Sequence, residues 1–228
     1  MKILALETAT LAGGAAIVDD SSGLIGEVRI DVKAAHSERL MPSVEWLLRA
    51  SNLTIHDIDA FAVSIGPGSF TGLRIGLSTV KGLAYATGMP IVPVPTLDAF
   101  ARAFPFSRYT ICPMLDARRN EIYTALYRWE DGECRKIMPE TAIAPADFLK
   151  GITEKIVLAG DGTGTYRQLI IDTLKSNALF APYSRMSPSA VHVAEEAIEK
   201  IRQGITADPV TLIPYYIRKS EAELNWKG

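Results

Sequence analysis

The residues with the clearest capacity for chemistry lie in Gly66-Pro67-Gly68-Ser69-Phe70-Thr71-Gly72. Three glycines in seven residues let a backbone turn tightly and bring its N–H groups close to an anion. Ahead of this turn, Phe61-Ala62-Val63-Ser64-Ile65 has the length and composition of a strand. Behind it, Leu73 to Thr87 reads as a helix stopped by Gly88 and Pro90, and Ile91 to Val94 as another strand. Strand, glycine turn, helix and strand is the layout that offers a helix N-terminus to a phosphate. The spacing matches neither familiar phosphate signature. The third glycine is one residue late for the dinucleotide fingerprint, and Leu73-Arg74 stands where a P-loop requires Lys followed by Ser or Thr. A tight strand-to-helix turn with no ligand accounts for the same spacing.

A second candidate is Glu7-Thr8-Ala9-Thr10, where a first strand from Lys2 meets a loop. A carboxylate there could hold a cation, and Asp161 stands at a comparable strand end in Ile156-Val157-Leu158-Ala159-Gly160-Asp161. If a nucleotide were held, Glu7, Thr8, Gly66, Gly68 and Ser69 are the positions its phosphates would meet. Solvated turn residues explain both acids equally well. The histidines are His36, His56 and His192, too scattered to make a ligand pair by local spacing, and Cys112 and Cys134 have no metal spacing. No nucleophile sits beside a base in a recognisable pattern. The expectation is no catalytic residue, no metal and no cofactor of its own.

Composition bounds the rest. At 228 residues and 48 % hydrophobic, the chain can bury one large or two small cores. The net charge is −2, with 7 basic and 10 acidic residues up to position 100 and 17 and 16 after it, so neither half is a strong polyanion binder alone. Glu7 interrupts the N-terminal apolar run, and no stretch has the roughly 20 apolar residues of a membrane span. These features lead us to expect a cytoplasmic protein.

The positioning elements can be read in order. Strands are expected at Lys2–Glu7, Ala15–Val18 and Gly26–Ile30, with Gly13-Gly14 in a turn. Ser37 can cap a helix carrying Leu40, Met41, Val44, Leu47 and Leu48, kinked at Pro42, with Trp46 off its apolar face. Thr54 to Asp57 has the form of a capping box. On the central helix Leu73, Leu77, Val80 and Ala84 make the core face. Gly72, Gly76, Thr79 and Leu83 form a second stripe beside it. Two glycines four apart cost about 1 kcal/mol each in a helix, so something must need close approach. That neighbour is either part of this chain or another subunit. Beyond Thr96, which caps a short helix, Phe104-Pro105 marks the boundary between halves. Strands follow at 109–115, 122–129 and 134–138, the last two joined by an Asp131-Gly132 hairpin. A short helix is expected to begin at Pro145. A strand at 156–159, the turn Gly160–Gly164 and a helix to Leu174 repeat the first unit's theme. Ser187-Pro188 opens a helix running to Gln203, and the tail Pro214 to Ser220 is aromatic, then basic.

Two α/β halves on a similar plan resemble the actin-like ATPase fold, with two RNase-H-like lobes. The lobes are placed at 1–104 and 105–228, the C-terminal helix being free to pack back on the first.

Longer stretches carry a more specific resemblance. Leu6 to Thr10, His36-Ser37-Glu38, Ile65 to Gly76 and Lys81 to Ala84 are similar to the TsaB family, also called YeaZ. So are Pro93 to Leu97, Asp116-Ala117-Arg118, Glu121-Ile122-Tyr123 and Pro214 to Arg218. Glu7 departs from the aspartate that many members carry. The resemblance implies a subunit of the bacterial machinery that makes threonylcarbamoyladenosine at position 37 of tRNAs reading codons that begin with A. In that machinery TsaD transfers the threonylcarbamoyl group from an adenylate to N6, TsaE is an ATPase, and TsaB is TsaD's non-catalytic partner and scaffold. TsaD holds its metal with a His-x-x-x-His motif, and the matching positions here are Thr96 and Phe100. The implied partners are TsaD, TsaE, a second copy when alone, and tRNA through the complex. ATP is used by the complex, with any adenine nucleotide at a subunit interface. The partner interface is expected on Leu40, Met41, Val44, Leu48, Gly72, Gly76, Thr79 and Leu83. The alternative is an ATP-dependent phosphotransferase of actin-like fold, or a metalloprotease-like enzyme.

Overall fold

The computed structural model describes residues 1–32 and 36–218. In the first sheet β1 (Lys2–Glu7), β2 (Ala12–Asp19) and β3 (Gly23–Asp31) form an antiparallel meander. Helix α1 (His36–Ala50) and a 3₁₀ turn at Ile55–Asp57 lead to β4 (Ala60–Gly66), α2 (Phe70–Thr87) and β5 (Ile91–Pro95). The order is β3-β2-β1-β4-β5, with β4 and β5 parallel to β1. After α3 (Thr96–Ala101) the plan repeats. β6 (Thr110–Arg118), β7 (Glu121–Glu130) and β8 (Glu133–Ile143) are antiparallel, then α4 (Pro145–Lys150) precedes β9 (Ile156–Ala159). Helices α5 (Asp161–Thr165) and α6 (Arg167–Leu174) lead to β10 (Ala178–Phe180), and the sheet order is β10-β9-β6-β7-β8. The last described helix is α7 (Ala190–Arg202). Each sheet is one RNase-H-like lobe, so the chain has the doubled, actin-like α/β fold.

Alternation along the central strand decides what covers the first sheet. Leu4 and Leu6 of β1 share a core with Leu40, Val44, Leu47, Phe61, Val63, Leu77 and Val80, beneath α1 and α2. Ile3 and Ala5 point the other way, into a core with Ala62, Val92 and Val94 that Val193, Ala194, Ala197 and Ile198 of α7 close. Full burial of such aliphatic side chains stabilises by about 1.5–3 kcal/mol each. Helix α7 therefore holds one whole face of a sheet made of residues far earlier in the chain.

Two compact units result, Met1–Ala99 with Pro188–Tyr215, and Phe100–Ser187 with the chain from Tyr216. The division falls after Ala99 rather than between 104 and 105, and Pro188–Tyr215, with the C-terminal helix, packs back on the first unit. The end of the tail at Lys219-Ser220 lies outside the described residues.

Several boundaries differ from expectation for local reasons. Gly13 and Gly14 are inside β2, because a side chain at Gly14 would strike the Val28 carbonyl 1.8 Å away. Helix α2 starts at Phe70, since Ser69 caps it by accepting the Gly72 N–H at 3.2 Å. Ser189, not Ser187, caps α7, and its hydroxyl also donates to Glu27 at 2.6 Å. The Thr54–Asp57 capping box forms, over a single 3₁₀ turn. Helix α1 runs through Pro42.

Candidate functional site

Glu7, Thr8, Ser64, Gly66, Gly68 and Ser69 meet at the carboxyl ends of β1 and β4, where open α/β sheets bind ligands. The register Leu6↔Val63 puts Glu7 beside Ser64. The Glu7 carboxylate accepts the Ala9 N–H at 2.6 Å through Oε1, while Oε2 has no hydrogen-bond partner. Its residue exposure is 1 %, and burial pushes the carboxyl up to about 7, against the smaller opposing pull of its hydrogen bonds. Burial thus favours the protonated form of this group. The hydroxyls of Thr8 and Thr96 are also buried without a hydrogen-bond partner, and that of Ser64 is turned to the Glu7 carboxyl. A lone serine in the apolar run of β4 was the signal for this cluster.

The glycine turn closes over this cluster. The Ser69 N–H donates to the Ala9 carbonyl at 2.7 Å. A Cβ at Gly68 would lie 2.5 Å from the Ala9 oxygen, and one at Gly72 would lie 2.0 Å from the Thr8 oxygen. On the next turn of α2, a Cβ at Gly76 would lie 2.4 Å from Thr8 Oγ1. The close approach that the glycines permit is thus to β1 of the same unit. This corrects the expectation that Gly72 and Gly76 belong to a partner-facing stripe. Leu40 and Val44 are likewise core residues at 2 % exposure, because they face the sheet. Of the residues read as an interface, Met41 is exposed and Leu48, Thr79 and Leu83 are half-buried. Gly66, with φ of 124°, is covered by the tail, whose Tyr215 N–H donates to the Ile65 carbonyl at 2.8 Å.

His36 is built into the fold rather than free for chemistry. Its Nε2 is 2.8 Å from the Thr10 carbonyl and its Nδ1 3.1 Å from an Arg39 guanidinium nitrogen. Arg39 can only donate, so Nδ1 accepts and the proton sits on Nε2. Burial holds the ring's pKa below the usual imidazole value. Gly13 makes room for it, since a side chain there would lie 2.4 Å from His36 Cε1. Trp46 is exposed and lines an open groove of about 600 Å³ between β3 and α1. Among the described residues no three His, Cys, Asp or Glu side chains converge as a metal site, and no helix is long and apolar enough to cross a membrane.

Comparison with known proteins decides the family. The family model described as TsaD, tRNA N6-adenosine threonylcarbamoyltransferase, matches residues 24–226. The tRNA threonylcarbamoyladenosine biosynthesis protein TsaB of Bacillus subtilis is 32 % identical over 99 % of this chain and 98 % of its own. The chain belongs to the TsaB family. TsaB of Escherichia coli is 30 % identical over 100 % of this chain and 97 % of its own. The solved structure of YeaZ from Pseudomonas aeruginosa superposes with a TM-score of 0.79 at 27 % identity, covering 94 % of this chain and 99 % of that one.

Other TsaB-like motifs gather in the second unit. Asp161 Oδ1 accepts the Asp116 N–H at 3.0 Å, and Arg118 pairs with Asp116 at 3.4 Å. Arg218 binds Glu121 and donates to the Ala117 carbonyl at 2.9 Å. Residues 118–120 all have φ between 53° and 61°, the hairpin between β6 and β7. The second glycine turn repeats the first, because a Cβ at Gly160 would lie 2.1 Å from the Met114 carbonyl.

Proposed function

We propose that this chain is a subunit of the assembly that makes threonylcarbamoyladenosine in tRNA, and that within it the chain is a non-catalytic partner of a TsaD-type transferase. The observation that carries this reading is the filled crevice at the ends of β1 and β4. The glycine turn packs backbone to backbone on Thr8 and Ala9, and Glu7 beneath it is sealed from solvent. Thr96 and Phe100, both fully buried, stand where the transferase motif needs imidazoles, and neither supplies a neutral nitrogen ligand. ATP is then consumed by the complex through a TsaE-type ATPase, and tRNA is handled jointly, in the cytoplasm.

The partner surface in this reading is the outward side of α1 and α2, which are neighbours in the fold. Exposed Met41 and half-buried Leu48, Thr79 and Leu83 form its apolar part. The same surface pairs two copies when the transferase is absent, so the two assemblies exclude each other. Reconstitution tests the function: tRNA modification by the transferase and ATPase should require this chain, and the chain alone should hydrolyse no ATP. Sustained hydrolysis by the isolated chain, or full modification without it, would overturn the proposal. Met41→Glu, at a 45 % exposed position, should weaken association by at least tenfold and leave the melting temperature unchanged.

A further inference from the structure

The second unit presents an aromatic ring at the cost of backbone strain. Phe104 to Ser107 form a turn closed by the Ser107 N–H and the Phe104 carbonyl at 3.3 Å, with Pro105 in second place and Phe106 in third at φ 57°. A proline followed by a positive φ is the type II pattern, whose third position favours glycine or asparagine. Here that position holds phenylalanine, and its ring is 78 % exposed. The ring meets Trp129, with centroids 5.3 Å apart and planes tilted by 42°. Strained residues that burial does not repay cluster at binding sites.

Basic residues adjoin both rings in the chain. Two residues along, the Arg108 guanidinium lies 5.1 Å over the Tyr109 ring. Next to Trp129, Arg128 helps line a groove of about 400 Å³ with Arg108, Tyr109, Thr110, Glu154 and Lys155. The carboxylate among these, Glu154, is engaged by Arg128 and by the Thr110 hydroxyl, each at 2.9 Å, and Arg128 also lies 4.0 Å from Glu130, so the groove's net positive charge comes from Arg108 and Lys155. A stacking face beside a positive groove fits a nucleobase followed by phosphates. We propose that Phe106, with Trp129 behind it and Arg108 beside it, binds an unpaired stretch of RNA, stacking one base on Phe106 and placing the adjoining phosphates at Arg108 and Lys155. A duplex offers no open base face to the ring, so the partner is single-stranded. This rests on the proposed role in tRNA modification, and it assigns this chain a direct contact with a loop or end of the tRNA.

The test uses the reconstituted complex and, separately, the full chain with a short oligouridylate at low salt. Phe106→Gly and Phe106→Ala should each weaken RNA binding about tenfold, as loss of one aromatic stack does, and raise KM for tRNA at unchanged kcat. Arg108→Ala should lower the slope of log affinity against log salt by about one. Glycine suits the turn, so Phe106→Gly should melt no earlier than the wild type. Tyr183→Ala, removing a 98 % exposed ring elsewhere in the unit, should change nothing. Unchanged oligouridylate affinity and tRNA KM in Phe106→Gly would overturn the proposal. So would weakened association with the transferase at unchanged RNA affinity, which would make the patch a protein contact. If the wild-type chain fails to support modification, the proposed function falls, while oligouridylate binding still judges the patch.

Discussion

Replacing Glu7 by glutamine should make the protein more stable above neutral pH, although the change removes a fully buried native group. The folded carboxyl sits at about 7, whereas an ordinary one sits near 4.5. Below pH 4.5 the group is protonated in both states and contributes no pH dependence. Between 4.5 and 7 the unfolded chain releases its proton while the folded chain keeps it, so stability falls as pH rises. Above 7 the penalty is complete and constant. At about 1.4 kcal/mol for each pH unit, the gap amounts to about 3 kcal/mol. Glutamine keeps Oε1 as acceptor for the Ala9 N–H and has no charge to desolvate. Urea unfolding of both proteins from pH 5 to 8, followed by circular dichroism, isolates the effect, because every other titrating group cancels in the difference. The variant should gain on the wild type steadily to about pH 7 and then hold its advantage. A difference that stays flat, or that favours the wild type as pH rises, would refute the reasoning and show that Glu7 is held charged.

Other outcomes follow from the packing. Gly72→Ala should destabilise by about 1–3 kcal/mol or more, because its Cβ would sit 2.0 Å from the Thr8 carbonyl. On the same helix Gly82→Ala, with nothing within 4 Å, should stabilise by about 0.5–1 kcal/mol; thermal melts of the pair check both. Ser189→Ala should cost about 1 kcal/mol or more, since the hydroxyl caps α7 and also binds Glu27. Cys112 is buried and its thiol pushed up to about 12, so iodoacetamide should leave it unmodified until the protein unfolds. Mass spectrometry of labelled peptides reads this directly.

Much of the architecture was legible because periodicity and punctuation are local. Phe61 to Ile65, the stop at Gly88 and the hairpin at Asp131-Gly132 each announce their element within a few residues. The Gly72–Gly76 spacing correctly announced close packing, yet sequence could not name the neighbour. That neighbour, Thr8, lies more than 60 positions earlier and is brought there by the β1–β4 pairing. Leu40 and Val44 shared a stripe with Met41, and only the docking of α1 on the sheet separates core from surface. The exposed Phe106 was hidden for a different reason: a positive φ at phenylalanine runs against every local preference. Serine at 187 and 189 offered two equivalent caps, and the Glu27 contact that favours the second is 162 residues away in sequence.

The return of Pro188–Tyr215 to the first unit bears on how the protein is made. Domains generally fold in the order they leave the ribosome. Here the sheet whose strands emerge first keeps one face bare until Val193, Ala194, Ala197 and Ile198 have been synthesised. The second unit is nearly contiguous from Phe100 to Ser187 and needs little more than the Arg218 latch on Glu121. The segment translated later can therefore finish folding before the segment translated earlier. During that interval an apolar sheet face carrying Ile3, Ala5, Val92 and Val94 is open to chaperones and to neighbouring nascent chains. A fragment ending at Ala99 would carry the same exposed face permanently, so the first unit can be isolated in folded form only when residues 188–215 accompany it, in cis or as a separate peptide.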